Sequence, residues 1–200
     1  AFLDTDAIER ERGITIFSKQ AVLTLGGTEL TLLDTPGHVD FSSEMERTLS
    51  VLDYAVLVIS GTDGVQGHTL TLWRLLERSR VPVFLFINKM DLPVADRAAL
   101  LDELRRRLDG SCVDFSAPRE TLCEEAAMCD ESVLEQYLES GMLSDGVITE
   151  LIGGRRLFPC FFGSALKLDG VDELLAALAR YTRAPDYPQA FGARIFKVSR

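Results

Sequence analysis

The sequence has no long apolar run and few residues of the kinds that bind metals. No stretch approaches the roughly 20 apolar residues that a bilayer-spanning helix needs, and residues 1–6 show no basic region followed by an apolar one. We therefore expect neither a membrane span nor a signal peptide. The four cysteines form no Cys-x-x-Cys pair and there are two histidines, so a zinc site is not expected. Free thiols in a reducing cytoplasm are the simpler interpretation.

A basic surplus is also lacking. The net charge is −10, which argues against a simple DNA-binding or other nucleic-acid-binding protein. The charge is concentrated, because residues 111–150 contain ten acids against one base, Arg119. The rest of the chain is nearly neutral, so the acidic character belongs to one segment.

The sequence does contain an alternation of short apolar runs typical of strands with stretches whose apolar residues have helical spacing. Short apolar runs at 30–33, 54–59, 82–87 and 157–162 suit strands, and the second and third are continuous, as in strands covered on both faces. Stretches with helical spacing of apolar residues separate or follow these runs, around Leu101–Leu108, Leu134–Leu138 and Val171–Leu178. This alternation predicts an α/β fold with a mostly parallel sheet and helices on both faces.

An earlier pair of runs, Ala21–Leu25 and Glu29–Leu33, is separated by Gly26, Gly27 and Thr28. This spacing predicts a hairpin, which would add an antiparallel edge to the sheet. Ligands of open α/β sheets bind at the carboxyl ends of the strands. Polar loops follow each predicted strand there, beginning at Asp34, Ser60, Asn88 and Gly163.

The run Asn88-Lys89-Met90-Asp91 has a clear chemical interpretation. An aspartate can accept two hydrogen bonds from the N1 and N2 donors of guanine, a pair that adenine lacks. Lys89 can lay its stem along a flat base, and Asn88 can tie neighbouring loops together. A solvated turn after a strand is the alternative. Backbone N–H groups of the run Gly163-Ser164-Ala165-Leu166 could meet the guanine O6.

A second set of residues suits phosphate and magnesium. Asp34 can hold Mg²⁺ through water, and the Gly37 N–H can face a γ-phosphate that a side chain would obstruct. His38 could orient a water for in-line attack, and the Thr15 hydroxyl could ligate Mg²⁺. A Thr-Pro-Gly turn and a structural histidine are the alternatives, and His68 is interpreted as the start of a helix. Together the motifs, in this chain order at strand ends, predict a guanine-nucleotide switch.

The residues 9–16 and 34–41 resemble the two switch segments of elongation factor G and its relatives. The runs 50–53, 63–66, 86–91 and 134–138 look closest to ribosomal-protection tetracycline-resistance proteins. The resemblance implies a P-loop NTPase-like (Ras-like) fold that binds GTP or GDP with Mg²⁺ and hydrolyses GTP on the ribosome. It implies metal ligation by Thr15 and Asp34, γ-phosphate sensing by Gly37 and water positioning by His38 under the sarcin-ricin loop. The same resemblance assigns guanine reading to the following set: Asn88, Lys89, Asp91, Ser164, Ala165 and Leu166.

The resemblance also divides the chain. Residues 1–186 correspond to the GTP-binding domain, and residues 187–200 look like the first strand of a following β-barrel domain. The acidic segment takes the place of the family's helical insert, at about 111–156. We expect it to contact the ribosome or its stalk protein, with a solvated acidic face as the alternative. A cytoplasmic monomer is expected.

The phosphate-binding loop Gly-x-x-x-x-Gly-Lys-Ser/Thr is absent, since none of the four lysines follows a glycine or precedes serine or threonine. In the family it lies upstream of residue 1, with a strand that sits between those at 29–34 and 54–60. We therefore expect the 200 residues alone to be inactive and the longer parent to be the GTPase. The alternatives are an elongation factor G paralogue that serves translocation and a non-catalytic fragment that docks on the ribosome.

Overall fold

The computed structural model describes residues 19–35, 47–185 and 190–193. The described residues up to Asp53, with those from Pro185 onward, form one compact unit, and Tyr54–Ala184 form another. In chain order the elements are β1 (Lys19–Leu25), β2 (Thr28–Asp34), β3 (Ala55–Ser60), α1 (Gly67–Arg78), β4 (Val83–Asn88), α2 (Arg97–Arg107), β5 (Cys112–Asp114), α3 (Arg119–Ala127), α4 (Glu131–Ser140), α5 (Asp145–Gly153), β6 (Phe158–Phe162) and α6 (Val171–Tyr181).

The first unit contains the predicted hairpin. Strands β1 and β2 pair antiparallel, from Leu25 opposite Thr28 to Lys19 opposite Asp34. The two-residue connection has positive φ at both Gly26 and Gly27, which is the conformation that the right-handed twist of a hairpin favours and that side chains resist. The hairpin is therefore confirmed, and Asp34 is the last residue of its second strand.

The second unit is built on a four-stranded sheet in the order β3-β4-β6-β5. All three pairings are parallel, as the continuous apolar runs predict. The first five residues of β4 and all five of β6 are buried, because helices cover both faces. Within the described ranges, no helix has the length and apolar character that a bilayer span requires.

Alternate residues of the strands divide the core into two layers. On one face, Phe84 and Phe161 join a buried cluster with Ala126 of α3, Leu151 of α5 and Ala177 of α6. On the other face the indole of Trp73, in α1, packs edge-on against the Phe158 ring, and the two ring centroids are 4.7 Å apart. The predicted arrangement, a parallel sheet with helices on both sides, is confirmed for this unit.

The acidic segment contains one element that sequence patterns did not predict. Its residues Cys112–Asp114 form a strand that pairs with β6 at the edge of the sheet. Three residues are too few to show the alternation of apolar and polar side chains that marks a strand, and acidic residues surround them in the sequence. The helices α3, α4 and α5 follow, so most of the segment is helical, as expected.

Half of the acids in this segment are neutralised by arginines. Asp145 contacts Arg119 at 2.8 Å and Arg180 at 2.5 Å, which links α5 to α3 and to α6. The remaining pairs are Arg97 with Asp114, Arg105 with Glu125, Arg156 with Asp130, and Arg183 with Glu150. These contacts fix the helices to the sheet and to each other, so much of the segment's acidic character is structural.

Replacing Leu151 with alanine should lower the free energy of unfolding by about 2–5 kcal/mol, because this side chain is 0% exposed and its removal leaves a cavity. Leu138, in the same segment, is 75% exposed, and Leu138→Ala should change stability by less than about 0.5 kcal/mol. Urea unfolding of both variants tests this. Equal losses would mean that the acidic segment does not pack on the sheet as described.

Candidate functional site

The carboxyl ends of three neighbouring strands are joined by main-chain hydrogen bonds. The Gly61 N–H, just after β3, donates to the Asn88 carbonyl oxygen at 2.7 Å. The Met90 N–H, just after β4, donates to the Gly163 carbonyl oxygen at 3.0 Å. The Gly163 N–H donates in turn to the Ile87 carbonyl oxygen at 2.9 Å. The loops that sequence patterns placed at one edge therefore form one connected surface.

The Asn88 side chain strengthens this connection. Its Oδ1 accepts hydrogen bonds from the Lys89 N–H and from the Ala165 N–H, both at 2.8 Å. The second bond spans 77 residues of sequence and joins the loop after β4 to the loop after β6. The predicted role of Asn88, tying neighbouring loops together, matches this geometry.

Lys89 has an unusual backbone for a residue with a side chain. Its φ is +66°, in the left-handed region that costs a non-glycine residue about 1–3 kcal/mol. The hydrogen bond from its N–H to the Asn88 side chain stabilises this conformation. Strain of this kind concentrates at binding sites, because the surrounding structure must hold it in place.

Asp91 is held by groups from the loop after β6. The Ser164 hydroxyl donates a hydrogen bond to its carboxylate, and this bond is the main reason why the pKa of Asp91 lies below its ordinary value. Lys167 contributes as well, with Nζ 3.5 Å from Oδ2. The Asp91 side chain is 16% exposed. A carboxylate that stays ionised at neutral pH is thus fixed beside Ser164 with limited access to water.

The loop after β6 is tightly closed. Main-chain hydrogen bonds join Ser164 and Asp169 in both directions, at 3.0 and 3.1 Å. A Cβ on Gly163 would collide with the Asp169 carbonyl oxygen, so only glycine fits at this crossing. Ser164 is buried, whereas Ala165 and Leu166 are exposed at the tip. Both residues are therefore open to solvent in the same loop as Ser164, with the Ala165 N–H already bonded to Asn88.

This surface can recognise a flat, polar base. A carboxylate accepts two adjacent N–H donors, the backbone at Ala165 and Leu166 lies alongside, and the Lys89 stem offers apolar area. An ionised acceptor also gives stronger hydrogen bonds than a neutral one. The structure thus brings together all six residues that the sequence assigned to guanine reading. Lys167 was not among them, since its approach to Asp91 depends on how the loop closes.

The other predicted residues are distributed differently. Thr15, Gly37 and His38 lie outside the described residues, as do residues 194–200 of the expected barrel strand. Asp34 is described at the end of β2, in the first unit. Within the described part of the chain, no three His, Cys, Asp or Glu side chains are grouped to hold a metal ion.

Comparison with known proteins gives concordant matches. Residues 1–184 match the family described as the elongation factor Tu GTP binding domain. The oxytetracycline resistance protein of Streptomyces rimosus is 36% identical over 98% of this chain and 34% of its own length. Elongation factor G 1 of Syntrophus aciditrophicus is 31% identical over 92% of this chain and 34% of its own. The chain therefore spans about a third of the length of these curated relatives.

The fold has a solved counterpart. A crystal structure of a protein from Thermus thermophilus superposes with a TM-score of 0.77, at 24% identity, over 91% of this chain and 34% of that one. At this identity the likeness concerns the fold alone. It supports the α/β architecture that alternating strands and helices predicted.

Gly163→Ala should destabilise the second unit by about 1–3 kcal/mol or more, because the added methyl group meets fixed backbone at Asp169. Gly153, at the end of α5, has open space around its Cβ position, and Gly153→Ala should be neutral or stabilising by up to about 1 kcal/mol. Urea unfolding at neutral pH compares the two. Indifference to Gly163→Ala would contradict the close crossing of the loop after β6.

Proposed function

The chain belongs to the family of elongation factor Tu GTP binding domains, and we propose that it is the nucleotide-binding domain of a ribosome-dependent GTPase. Its relatives include an oxytetracycline resistance protein and an elongation factor G, and we propose the ribosomal-protection, tetracycline-resistance type. The observation that carries the proposal is the Asp91 carboxylate, fixed by Ser164 beside the Asn88 to Ala165 hydrogen bond.

Guanine recognition follows from the orientation of these groups. Asp91 accepts the guanine N1–H and N2–H, and the backbone N–H of Leu166 donates to O6, since Asn88 already holds the Ala165 N–H. Adenine presents an acceptor at N1 and no amine at C2, so the acceptor positions of Asp91 that face the base would receive no donor, which is costly in a partly desolvated site. Lys89 covers one face of the base with its stem. The site therefore binds GTP or GDP in preference to adenine nucleotides.

Hydrolysis requires residues on the phosphate side. Thr15 and Asp34 supply a hydroxyl and a carboxylate, which are hard oxygen ligands of the type that Mg²⁺ prefers. Asp34 is the last residue of β2, and the end of a strand is a suitable position for a metal ligand. The ion would supply charge neutralisation at the phosphates. The Gly37 N–H senses the γ-phosphate, and His38 orients the attacking water when the sarcin-ricin loop of the ribosome approaches.

The acidic helices suit a docking role on the ribosome or its stalk protein. Within the described residues, five glutamates of α3 and α4 have no ion pair, and these are Glu120, Glu124, Glu131, Glu135 and Glu139. Leu138 and Met142 are 75% and 63% exposed beside them. An acidic surface with exposed apolar side chains fits a basic partner that buries both. A monomer in the cytoplasm, where free thiols persist, agrees with the unpaired cysteines.

A second candidate is an elongation factor G paralogue that serves translocation, favoured by the 31% identity to elongation factor G 1. Both candidates share the nucleotide site and the acidic helices. They differ in their effect on tetracycline bound to the ribosome, so measuring the release of labelled tetracycline from 70S ribosomes separates them.

Asp91→Asn should shift the preference of the full-length protein from GTP toward XTP, because xanthine presents an acceptor at C2 where guanine presents an amine. We expect the ratio of dissociation constants to move by about 10²-fold, since two hydrogen bonds to a charged group are exchanged. Asp169→Asn is the matched control, as this carboxylate is exposed in the same loop. An unchanged ratio in Asp91→Asn would remove Asp91 from base recognition.

His38→Ala should leave nucleotide affinity nearly intact and slow ribosome-stimulated GTP turnover by about 10²-fold or more, the usual range for a group that positions or deprotonates the attacking water. Single-turnover hydrolysis with 70S ribosomes measures it. His68, in the first turn of α1, provides the control, and His68→Gln should hydrolyse GTP at the parental rate. Normal turnover in His38→Ala would exclude His38 from the mechanism.

A further inference from the structure

We infer that Lys167 is a positioning residue for base recognition, which holds the Asp91 carboxylate in the orientation that guanine requires. This inference rests on the proposed function and extends it to a residue outside the recognised motif. The motif residues Ser164, Ala165 and Leu166 end one position before Lys167, so the sequence pattern alone assigns Lys167 no part in the site.

The geometry of the loop places Lys167 at Asp91. The Lys167 N–H donates to the Ser164 carbonyl oxygen at 3.1 Å and also lies 3.4 Å from the Ser164 hydroxyl oxygen. From this fixed backbone the side chain reaches Asp91, with Nζ 3.5 Å from Oδ2. The Ser164 hydroxyl, in the same loop, also lowers the pKa of this carboxylate by hydrogen bonding. Two groups of one closed loop thus converge on Asp91.

The carboxylate has capacity for both these groups and a base. Its two oxygens offer about four acceptor positions. The Lys167 ammonium lies 3.5 Å from Oδ2, and acceptor positions remain for the N1–H and N2–H of guanine. Because the lysine approaches Oδ2, the other oxygen of the carboxylate stays available to a base. Lys167 therefore helps to aim the carboxylate and does not compete with the base.

Burial by the base should increase the importance of Lys167. Its side chain is 57% exposed, and an ion pair at such a surface contributes little while water screens it. A base stacked over Asp91 displaces water, and the attraction between the two charges then strengthens. Lys167 should consequently affect nucleotide binding much more than folding stability.

The test is the affinity of the full-length protein for fluorescently labelled GDP. Lys167→Met keeps most of the apolar stem and removes the charge, and it should weaken binding by about threefold to tenfold. Lys167→Arg restores the charge and should bind within about twofold of the parent. Arg106→Gln removes one exposed positive charge on α2 and should bind like the parent.

A double-mutant cycle separates a role through Asp91 from a general structural role. In the Asp91→Asn background the partner of Lys167 is neutral, so adding Lys167→Met should leave affinity for labelled xanthosine diphosphate unchanged within about twofold. An equal loss in both backgrounds would overturn the inference, because Lys167 would then act elsewhere.

The outcomes distinguish this inference from the proposed function. If the parent binds GDP and Lys167→Met binds it equally well, Lys167 has no positioning role while the GTPase assignment stands. If the parent protein binds no guanine nucleotide at all, the proposed function and the inference both fail.

Discussion

The site depends on the hydrogen bonds that the side chain and the carbonyl oxygen of Asn88 accept. The carbonyl oxygen accepts the Gly61 N–H, and Oδ1 accepts the N–H groups of Lys89 and Ala165. One residue therefore connects the loops after β3, β4 and β6, which are far apart in sequence. Each of these bonds satisfies a backbone donor that would otherwise need water. Without these hydrogen bonds, the strained backbone of Lys89 and the carboxylate of Asp91 would no longer be held in fixed positions relative to each other.

The sheet explains why such a connection is possible. Its strands are parallel, so the chain leaves β3, β4 and β6 at the same edge, and the pairing of Ser60 with Asn88 sets two strand ends level. The rigid apolar interior of β4 fixes where that edge lies. Specific polar groups can then be placed within hydrogen-bonding distance by short loops. Precision at the site comes from the core beneath it.

Much of this arrangement was predictable from sequence, and the parts that were not have physical explanations. A continuous apolar run identifies β4, helical spacing identifies α6, and a Gly-Gly pair identifies the hairpin, because these signals are local. The three-residue strand Cys112–Asp114 is defined by its pairing with β6 and by little else. The contact of Lys167 with Asp91 likewise requires two loops to meet. Contacts between segments that are distant in sequence produce no periodic spacing of residues that could be recognised in the sequence.

The surface charge of the acidic segment is likewise only partly predictable from sequence. Counting residues identifies one acidic segment, yet arginines such as Arg97, Arg105 and Arg156, which precede or follow it, neutralise part of its charge. Among the described residues, the glutamates of this segment that have no ion pair lie on α3 and α4. The distribution of a segment's surface charge therefore depends on what the fold places beside it, which composition does not report.

The shared core of the sheet and the acidic helices has a consequence for protein engineering. Phe84 and Phe161 are covered by the same cluster that includes Leu151 of α5 and Ala126 of α3. A segment whose apolar side is continuous with the sheet is not a detachable module. Trimming it to obtain a minimal nucleotide-binding domain would leave aromatic rings facing solvent, and the shortened protein would tend to aggregate.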